Sequence, residues 1–329
     1  MAYVLFSLQP SFFNSTIVRL NIGQLAMRAA VSLAAVVAPA WTARKASQWF
    51  ITPPRILHTP RELQSLTQGT RLAIASPMGK LAAWRFGNPA HPAIIASHGW
   101  GGRGAQFREF VPALTAAGYQ VWLFDHVSHG YSDGKEAPIT DFARGVAAVA
   151  RHVEKAGIAI AGFVGHSLGN AGVGIALRHE LKHLHHVRVV QIAPPSSLIR
   201  YSRFFARAVG LSERIRAAMQ WRLEQKIGVE WQEFEMPHAA ETLKAKALVI
   251  HDQDDREVRI DSGLAVARAW PDARFKRTFG LGHRRVLRDA EVIAATVAFL
   301  QDDVQFSLPP KVDEWSQAFA SLSGSAPLF

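Results

Sequence analysis

The chain has 329 residues, of which 49% are hydrophobic and 19% are charged, and it contains no cysteine. This composition suits one large α/β domain or two small ones, and it excludes wholesale disorder, disulfides, Cys-ligated zinc, iron–sulfur clusters and a thiol nucleophile. The 37 basic and 26 acidic residues give a formal charge of +11, which suits contact with nucleic acid, an anionic membrane surface or an acidic substrate.

The first 50 residues differ in composition from the rest because they contain no Asp or Glu. The apolar run AAVSLAAVVAPA at 29–40 follows Arg28 and has the shape of a secretory signal, but only if translation starts at Met27. The alternative is an amphipathic helix that packs on the domain or lies on a membrane. No stretch reaches the roughly 18 apolar residues of a membrane span. We predict a helical extension over 1–60 in a cytoplasmic protein, with peripheral membrane contact through 1–50 and secretion through 27–40 as alternatives.

From residue 71 onward, short β-rich runs alternate with helical patterns, which predicts a mainly parallel, eight-stranded sheet with helices on both faces. The first two strands have no helix between them and predict an antiparallel hairpin at one edge. The predicted strands cover 71–76, 81–86, 93–97, 121–125, 159–164, 187–192, 247–251 and 274–279, and the predicted helices cover 107–117, 140–156, 168–184 and 287–301. The predicted core comprises 61–194 and 246–305, followed by a loosely held tail at 306–329.

Between the sixth and seventh strands lies a longer helical stretch, 195–245, rich in arginine and aromatic residues. A short crossover would suffice at this point, so we predict a lid. Its aromatic side chains are candidate substrate contacts, namely Phe204, Phe205, Trp221 and Trp231.

The segment GHSLG at 165–169 has the pattern G-x-S-x-G, follows the apolar strand IAIAGFV and precedes a helix. In this context the serine sits on a sharp strand-to-helix turn, and larger flanking side chains would collide with the neighbouring strand and helix. Ser167 is therefore the candidate nucleophile.

A serine hydroxyl needs a base to accept its proton, and the base needs a carboxylate to orient it. His283 lies in the glycine-rich segment GLGH at 280–283, after the eighth strand. The seventh strand is followed by three aspartates, Asp252, Asp254 and Asp255. We predict Asp255 as the orienting acid, because the strand ends near His251 and a short turn then brings Asp255 beside the histidine loop.

Acyl transfer also needs donors for the oxyanion of the tetrahedral intermediate. The segment HGWGG at 98–102 follows the third strand and leaves backbone N–H groups free at the same sheet edge. We predict the N–H groups of Trp100 and Leu168 as the two oxyanion donors.

With these motifs in order, the chain resembles the α/β-hydrolase family over about residues 80–303. The resemblance is carried by HGWGG at 98–102, DHVSHGYS at 125–132, GHSLG at 165–169, HDQDDREV at 251–258 and GLGHRR at 280–285. It implies the α/β-hydrolase fold, a Ser167–Asp255–His283 triad, no cofactor and no metal. Ser128 stands where the family usually has glycine. A serine nucleophile argues against epoxide hydrolases and dehalogenases, whose attacking group is a carboxylate.

Two other motifs suggest different chemistry. The segment GWGGRG at 99–104 is a literal G-x-G-x-x-G with Asp125 about 20 residues on, and Tyr131 with Lys135 forms Y-x-x-x-K, as in nicotinamide-dependent dehydrogenases. The oxyanion-loop interpretation explains the same glycines and also the downstream triad, so we prefer it.

The segment HELKH at 179–183 is a literal H-E-x-x-H, predicted on the helix that starts after Ser167. At that spacing it lies roughly 18 Å from the serine. We therefore interpret it as a solvated helix end rather than a zinc site.

We expect a serine hydrolase that cleaves small-molecule carboxylic esters with small to medium acyl chains through an acyl-enzyme. The alternatives are an acyltransferase on the same triad and a non-catalytic binding protein on the same scaffold. The basic excess is concentrated in 203–226, without a recognisable nucleic-acid module, so no nucleic-acid partner is expected. A lid that touches an anionic interface is the functional alternative to a solvated face.

Overall fold

The computed structural model describes residues 22–301 and contains one eight-stranded sheet in the order β1-β2-β4-β3-β5-β6-β7-β8. The first two strands pair antiparallel with each other and β2 pairs antiparallel with β4, whereas β3 to β8 are all parallel. The strands are β1 Thr70–Ser76, β2 Gly79–Phe86, β3 Ala93–Ser97, β4 Gln120–Phe124, β5 Ile160–His166, β6 Arg188–Ile192, β7 Lys246–Asp252 and β8 Ala273–Thr278. The predicted mainly parallel sheet and its antiparallel edge hairpin are confirmed.

Helices cover both faces of this sheet. They are α1 Ile22–Val37, α2 Pro39–Ile51, α3 Pro60–Leu66, α4 Phe110–Ala116, α5 Ile139–Lys155, α6 Leu168–His179, α7 Leu198–Val209, α8 Glu213–Ile227, α9 Met236–Ala240, α10 Ile260–Ala269, α11 Gly282–Arg285 and α12 Ala290–Gln301. The predicted helix 168–184 ends five residues early, at His179, and α10 was not predicted. Helix α10 ends one residue before Trp270-Pro271, because the residue before a proline disfavours the helical conformation.

The core lies in two layers, one on each face of the sheet. Strand β3 is buried along its whole length, and its consecutive residues Ile94 and Ile95 contribute to opposite layers. Helices α5 and α6 close one layer, and α4 and α12 close the other. This arrangement leaves the carboxyl ends of the parallel strands free to present loops.

The helical extension packs against the helices inserted between β6 and β7. The Ser47 hydroxyl on α2 reaches the carbonyl of Met219 on α8 at 3.5 Å, and the Ser32 hydroxyl on α1 donates to the carbonyl of Gly210 at 2.8 Å. A linker then ties the extension to the core: the Arg55 guanidinium donates to the carbonyls of Gly130, Ser132 and Gly134. The extension and the insertion therefore form one helical layer.

Two predicted segments fall partly or wholly outside the described residues, namely the start of the extension at 1–21 and the tail at 306–329. Within 22–301, no helix combines the length and the apolar character needed to cross a bilayer.

Candidate active site

Ser167 sits at the junction of β5 and α6 in a conformation that side chains rarely adopt, with φ 52° and ψ −127°. The flanking glycines are required by close approach: a Cβ on Gly165 would lie 2.3 Å from Asn170 Oδ1, and a Cβ on Gly169 would lie 2.1 Å from the Ser97 carbonyl oxygen. The Ser167 N–H donates to the carbonyl of Ile192 on β6 at 3.0 Å. The strained turn and the tight flanks expected from G-x-S-x-G are both present.

His283 and Asp255 are joined by a hydrogen bond of 2.7 Å between Nδ1 and Oδ2, and both side chains are buried. The second carboxylate oxygen accepts the N–H groups of Glu257 and Val258, each at 2.8 Å. Burial alone raises the pKa of Asp255, but the neighbouring imidazoles of His251 and His283 outweigh it and hold that pKa well below its usual range. Asp255 therefore stays ionised beside His283.

The other two aspartates occupy different places. Asp252 is buried and its carboxylate accepts the N–H groups of Leu281 and Gly282, at 3.1 and 2.9 Å, so it shapes the loop that carries His283. Asp254 is exposed and accepts only the N–H of Gly280 in that loop, at 2.8 Å. Of the three, Asp255 alone bonds to the His283 ring.

Two further histidines support this pair, and the sequence analysis did not single them out. His166 Nε2 donates to the backbone carbonyl of His283 at 2.8 Å, and burial lowers the pKa of His166 to about 3. His251 Nε2 donates to the carbonyl of Val258 at 2.8 Å and lies 3.6 Å from Asp255 Oδ2. The only signal was their position, because each is immediately adjacent to a predicted site residue or motif.

The loop after β3 approaches the serine closely. A Cβ on Gly99 would lie 2.8 Å from Ser167 Cβ, so a larger residue there would displace the serine. Among the described residues, no hydrogen-bond acceptor takes the Trp100 N–H. Leu168 is the first residue of α6, where backbone N–H groups have no intrahelical acceptor. Trp100 and Leu168 line the same cavity as Ser167, and their role as oxyanion donors stays a prediction.

A buried histidine fixes this loop from behind. His129 Nε2 accepts the N–H of Gly101 at 3.0 Å, while its Nδ1 donates to the carbonyl of Val127 at 2.8 Å. Burial lowers the pKa of His129 to about 4, so the ring is neutral and can accept that bond. Ser128, which departs from the family pattern, has φ 65° and bonds its hydroxyl to the carbonyl of Glu136 at 2.7 Å.

Ser167 and His283 line the same cavity, whose volume is about 470 Å³. No hydrogen bond joins their side chains in the described structure. Catalytic hydrogen bonds are often long without substrate and tighten in the complex, so the arrangement is compatible with proton transfer.

The cavity has an apolar wall built from two parts of the chain. Phe204 and Phe205 on α7 line it, and their contact with substrate stays a prediction. Trp49 and Phe50 on α2 also line it, and the sequence analysis missed them because nothing local shows that α2 packs over the sheet edge. Phe50 lies 5.3 Å from the Phe205 ring.

The prediction for Trp221 and Trp231 is wrong. Trp221 is 60% exposed on the outer side of α8, because that helix buries Ile215, Met219 and Leu223 instead. Trp231 is buried behind the cavity, where it stacks on Phe50 with ring centroids 5.3 Å apart. Neither tryptophan lines the cavity.

The two glutamates that line the cavity are both paired with arginine. Glu62 Oε2 accepts from Arg103 Nε at 2.7 Å, and Glu257 Oε1 accepts from Arg284 Nε at 2.9 Å. Burial raises the pKa of Glu62, but Arg103 and Thr59 outweigh it and lower the net value. The lining therefore offers no unpaired glutamate to a cationic ligand.

The zinc-like motif does not have the geometry that zinc requires. The motif was predicted on the helix after Ser167, but α6 already ends at His179, so His179 and His183 do not share a helical face. His183 instead bonds Glu154 at 2.6 Å. Within residues 22–301, no group of three His, Asp or Glu side chains is arranged to hold a metal ion.

Comparison with known proteins agrees with this geometry. The model of the family described as "Serine aminopeptidase, S33" matches residues 88–293, well over half of the chain. No curated protein matches the chain.

Solved structures share the fold at low sequence identity. Rv0554 from Mycobacterium tuberculosis is 22% identical, with a TM-score of 0.55 over 70% of this chain and 99% of that one. The Pyrococcus furiosus esterase Pf2001 is 19% identical, with a TM-score of 0.58 over 77% and 97%. The esterase RhEst1 from Rhodococcus sp. ECU1013 is 19% identical, with a TM-score of 0.52 over 72% and 100%.

Proposed function

The chain belongs to the serine aminopeptidase S33 family of α/β hydrolases, and from this premise we propose that it cleaves carboxylic esters through an acyl-enzyme on Ser167. One observation carries the proposal: a strained serine lines the same largely apolar cavity as His283, the histidine of a buried histidine–aspartate pair.

The proposed reaction begins when the Ser167 oxygen attacks the ester carbonyl and its proton passes to Nε2 of His283. Asp255 holds the other ring nitrogen, Nδ1, and stabilises the imidazolium that forms. The oxyanion accepts hydrogen bonds from the N–H groups of Trp100 and Leu168. His283 then returns the proton to the leaving alkoxide, and the alcohol departs. Water activated by the same histidine hydrolyses the acyl-enzyme and releases the acid.

The cavity wall supports an apolar acyl group of small to medium length. Phe50 and Phe205 present aromatic surface opposite the sheet edge, and each methylene buried there contributes about 0.8 kcal/mol. Two more carbons would therefore favour binding by roughly tenfold until the space is filled.

The family description raises peptide N-termini as an alternative substrate. An aminopeptidase must hold a free ammonium group, which calls for an unpaired carboxylate near the serine. Glu62 and Glu257 are instead neutralised by Arg103 and Arg284. This pairing favours an uncharged ester over a peptide amino terminus.

The test is a series of p-nitrophenyl esters from acetyl to dodecanoyl, run beside aminoacyl p-nitroanilides and with Ser167→Ala as the control. We expect kcat/KM to rise to a maximum at butyryl or hexanoyl and then fall, with turnover lost in the variant. Faster cleavage of the anilides, a flat series or an active Ser167→Ala would contradict the proposal. Product analysis with an added alcohol distinguishes hydrolysis from acyl transfer.

A further inference from the structure

The outer face of α1 is apolar and exposed. It carries Leu25, Leu33, Val36 and Val37, and the last two are 79% and 76% exposed. These positions recur at helical spacing, and the remaining exposed positions of α1 are small residues without charge. A contiguous apolar face of this kind commonly marks an interaction site.

The opposite side of α1 is already fixed to the protein, so the helix cannot turn this face inward. Gln24 and Val31 are buried on this side, and the hydroxyl of Ser32, an exposed residue at its edge, bonds to the carbonyl of Gly210 at 2.8 Å. A Cβ on Gly210 would lie 2.9 Å from the Arg28 carbonyl oxygen, which shows how closely α1 meets the end of α7. The apolar face therefore points outward because the other face is packed.

The charged side chains that α1 and α2 themselves carry are all positive. Arg44 is exposed on α2, and the Lys45 ammonium lies 6.0 Å from the centre of the Trp41 ring. Trp41 itself is 46% exposed. Residues 1–50 contain no acidic side chain to oppose these cations. Apolar residues, a tryptophan and nearby lysine or arginine together match the composition of helices that lie in a membrane interface.

We propose that the outer face of α1, with Trp41, Arg44 and Lys45, docks on the surface of an anionic lipid bilayer. One side of α1 is packed on the protein and the other is apolar and exposed, which fits a helix that lies in the plane of the surface. A second copy on the same face would bring like charges together in a symmetric pair, whereas anionic headgroups neutralise them.

Docking at this face places the bilayer beside the apolar wall of the cavity. Helix α2 continues from Trp41 to Trp49 and Phe50, which line the cavity, and α1 meets α7 where Val209 lines it. The binding itself does not depend on the chemistry at Ser167, so its test and the test of the proposed reaction are separate.

The test is flotation of the full chain with vesicles of phosphatidylcholine containing about one third phosphatidylglycerol, beside vesicles of phosphatidylcholine alone. We expect the protein to float with the anionic vesicles and to bind the neutral ones far less. The double variant Leu33→Glu, Val37→Glu should lose at least about tenfold in binding. The wild-type methyl groups insert between the lipids, whereas the acidic groups that replace them are repelled by anionic lipid.

A matched control uses Leu57→Glu, the same change at a leucine 57% exposed in the linker, which should bind as the wild type does. Replacing Arg44 and Lys45 by Gln should weaken binding to the anionic vesicles by roughly fivefold for each cation and leave the fold intact. If the double variant Leu33→Glu, Val37→Glu unfolds, this second variant provides the test. Wild-type protein that stays with neither vesicle, or variants that bind as well as wild type, would overturn the proposal. A dimer in analytical ultracentrifugation that Leu33→Glu dissociates would overturn it in favour of a second copy.

Discussion

The two walls of the cavity are built by different means. The sheet-edge wall, formed by the loops at 98–102, 165–169, 252–258 and 280–283, is held by buried hydrogen bonds and by a strained residue, Ser167. The helical wall, formed by α2 and α7, is held by contacts between aromatic rings such as Phe50 and Phe205. Hydrogen bonds fix the positions of the atoms that they join within tenths of an ångström, whereas a packed aromatic side chain can be replaced by another apolar side chain.

From this difference we expect the sheet-edge wall to determine the rate of the reaction and the helical wall to determine which ester is preferred. Removing a buried group of the sheet-edge wall that contacts the reacting atoms, or that orients such a group, should cost orders of magnitude in turnover. Changing the helical wall should alter which ester is preferred by about one order of magnitude, in proportion to the methylenes that can be buried.

The largest effect is expected at Asp255. Replacing it by Asn should reduce kcat by about 10⁴-fold with the fold retained, because His283 loses the partner that fixes its tautomer. The matched control is Asp254→Asn, the same change one residue away on an exposed carboxylate that accepts the Gly280 N–H. Steady-state kinetics of both variants make the check, and greater damage from Asp254→Asn would show that the acid is misassigned.

A tenfold effect is expected at the helical wall. Phe205→Ala should lower kcat/KM for butyryl esters and move the optimum toward longer chains, because the lost ring leaves space for more methylenes. Trp221→Ala removes a larger aromatic group from the same insertion, but from its exposed side, and should leave the chain-length profile unchanged. A profile that moves in Trp221→Ala but not in Phe205→Ala would refute the division between the two walls.

The smallest effect concerns pH and the histidine behind the oxyanion loop. The pKa of His129 is about 4 in the folded protein, against 6.5 for an unperturbed histidine. Between pH 6.5 and pH 4, His129 therefore binds a proton in the unfolded chain but not in the folded protein. Stability should therefore fall as pH drops from about 6.5 to about 4. Asp255 does not oppose this trend, because its pKa lies well below its usual range and it stays ionised there.

His129→Gln removes this titration while keeping an acceptor that can reach the Gly101 N–H. The fall in Tm between pH 6.5 and 4 should then be shallower by the contribution of one proton. Part of the fall should remain, because burial also lowers the pKa values of His98 and His126. An unchanged slope in differential scanning calorimetry would mean that His129 is already protonated in the folded protein.

The features that sequence analysis predicted well are those determined locally or by topology. The eight strands follow from short apolar runs between turns, and the tight turn at Ser167 follows from Gly165 and Gly169, whose missing side chains the structure explains. The position of Asp252, Asp254 and Asp255 beside the histidine loop follows from the parallel pairing of β7 and β8.

Features that depend on distant packing could not be predicted in this way. The contribution of Trp49 and Phe50 to the cavity requires α2 to cross to the insertion, over 150 residues away. Trp221 is instructive in another way, because the spacing of Ile215, Met219 and Leu223 marks the buried face of α8 and already places Trp221 outside it. Helical periodicity within the insertion is therefore the signal that distinguishes Trp221 from the aromatic residues that line the cavity.

Active-site labelling shows directly whether Ser167 is the residue that carries the acyl group. The full chain is treated with a fluorophosphonate, digested, and mapped by mass spectrometry, with His283→Ala as a comparison for the labelling rate. We expect one adduct, on the peptide that contains Ser167, with ester turnover lost in proportion to labelling and labelling markedly slower in His283→Ala. An adduct on a different residue, or full turnover after Ser167 has been modified, would contradict the account.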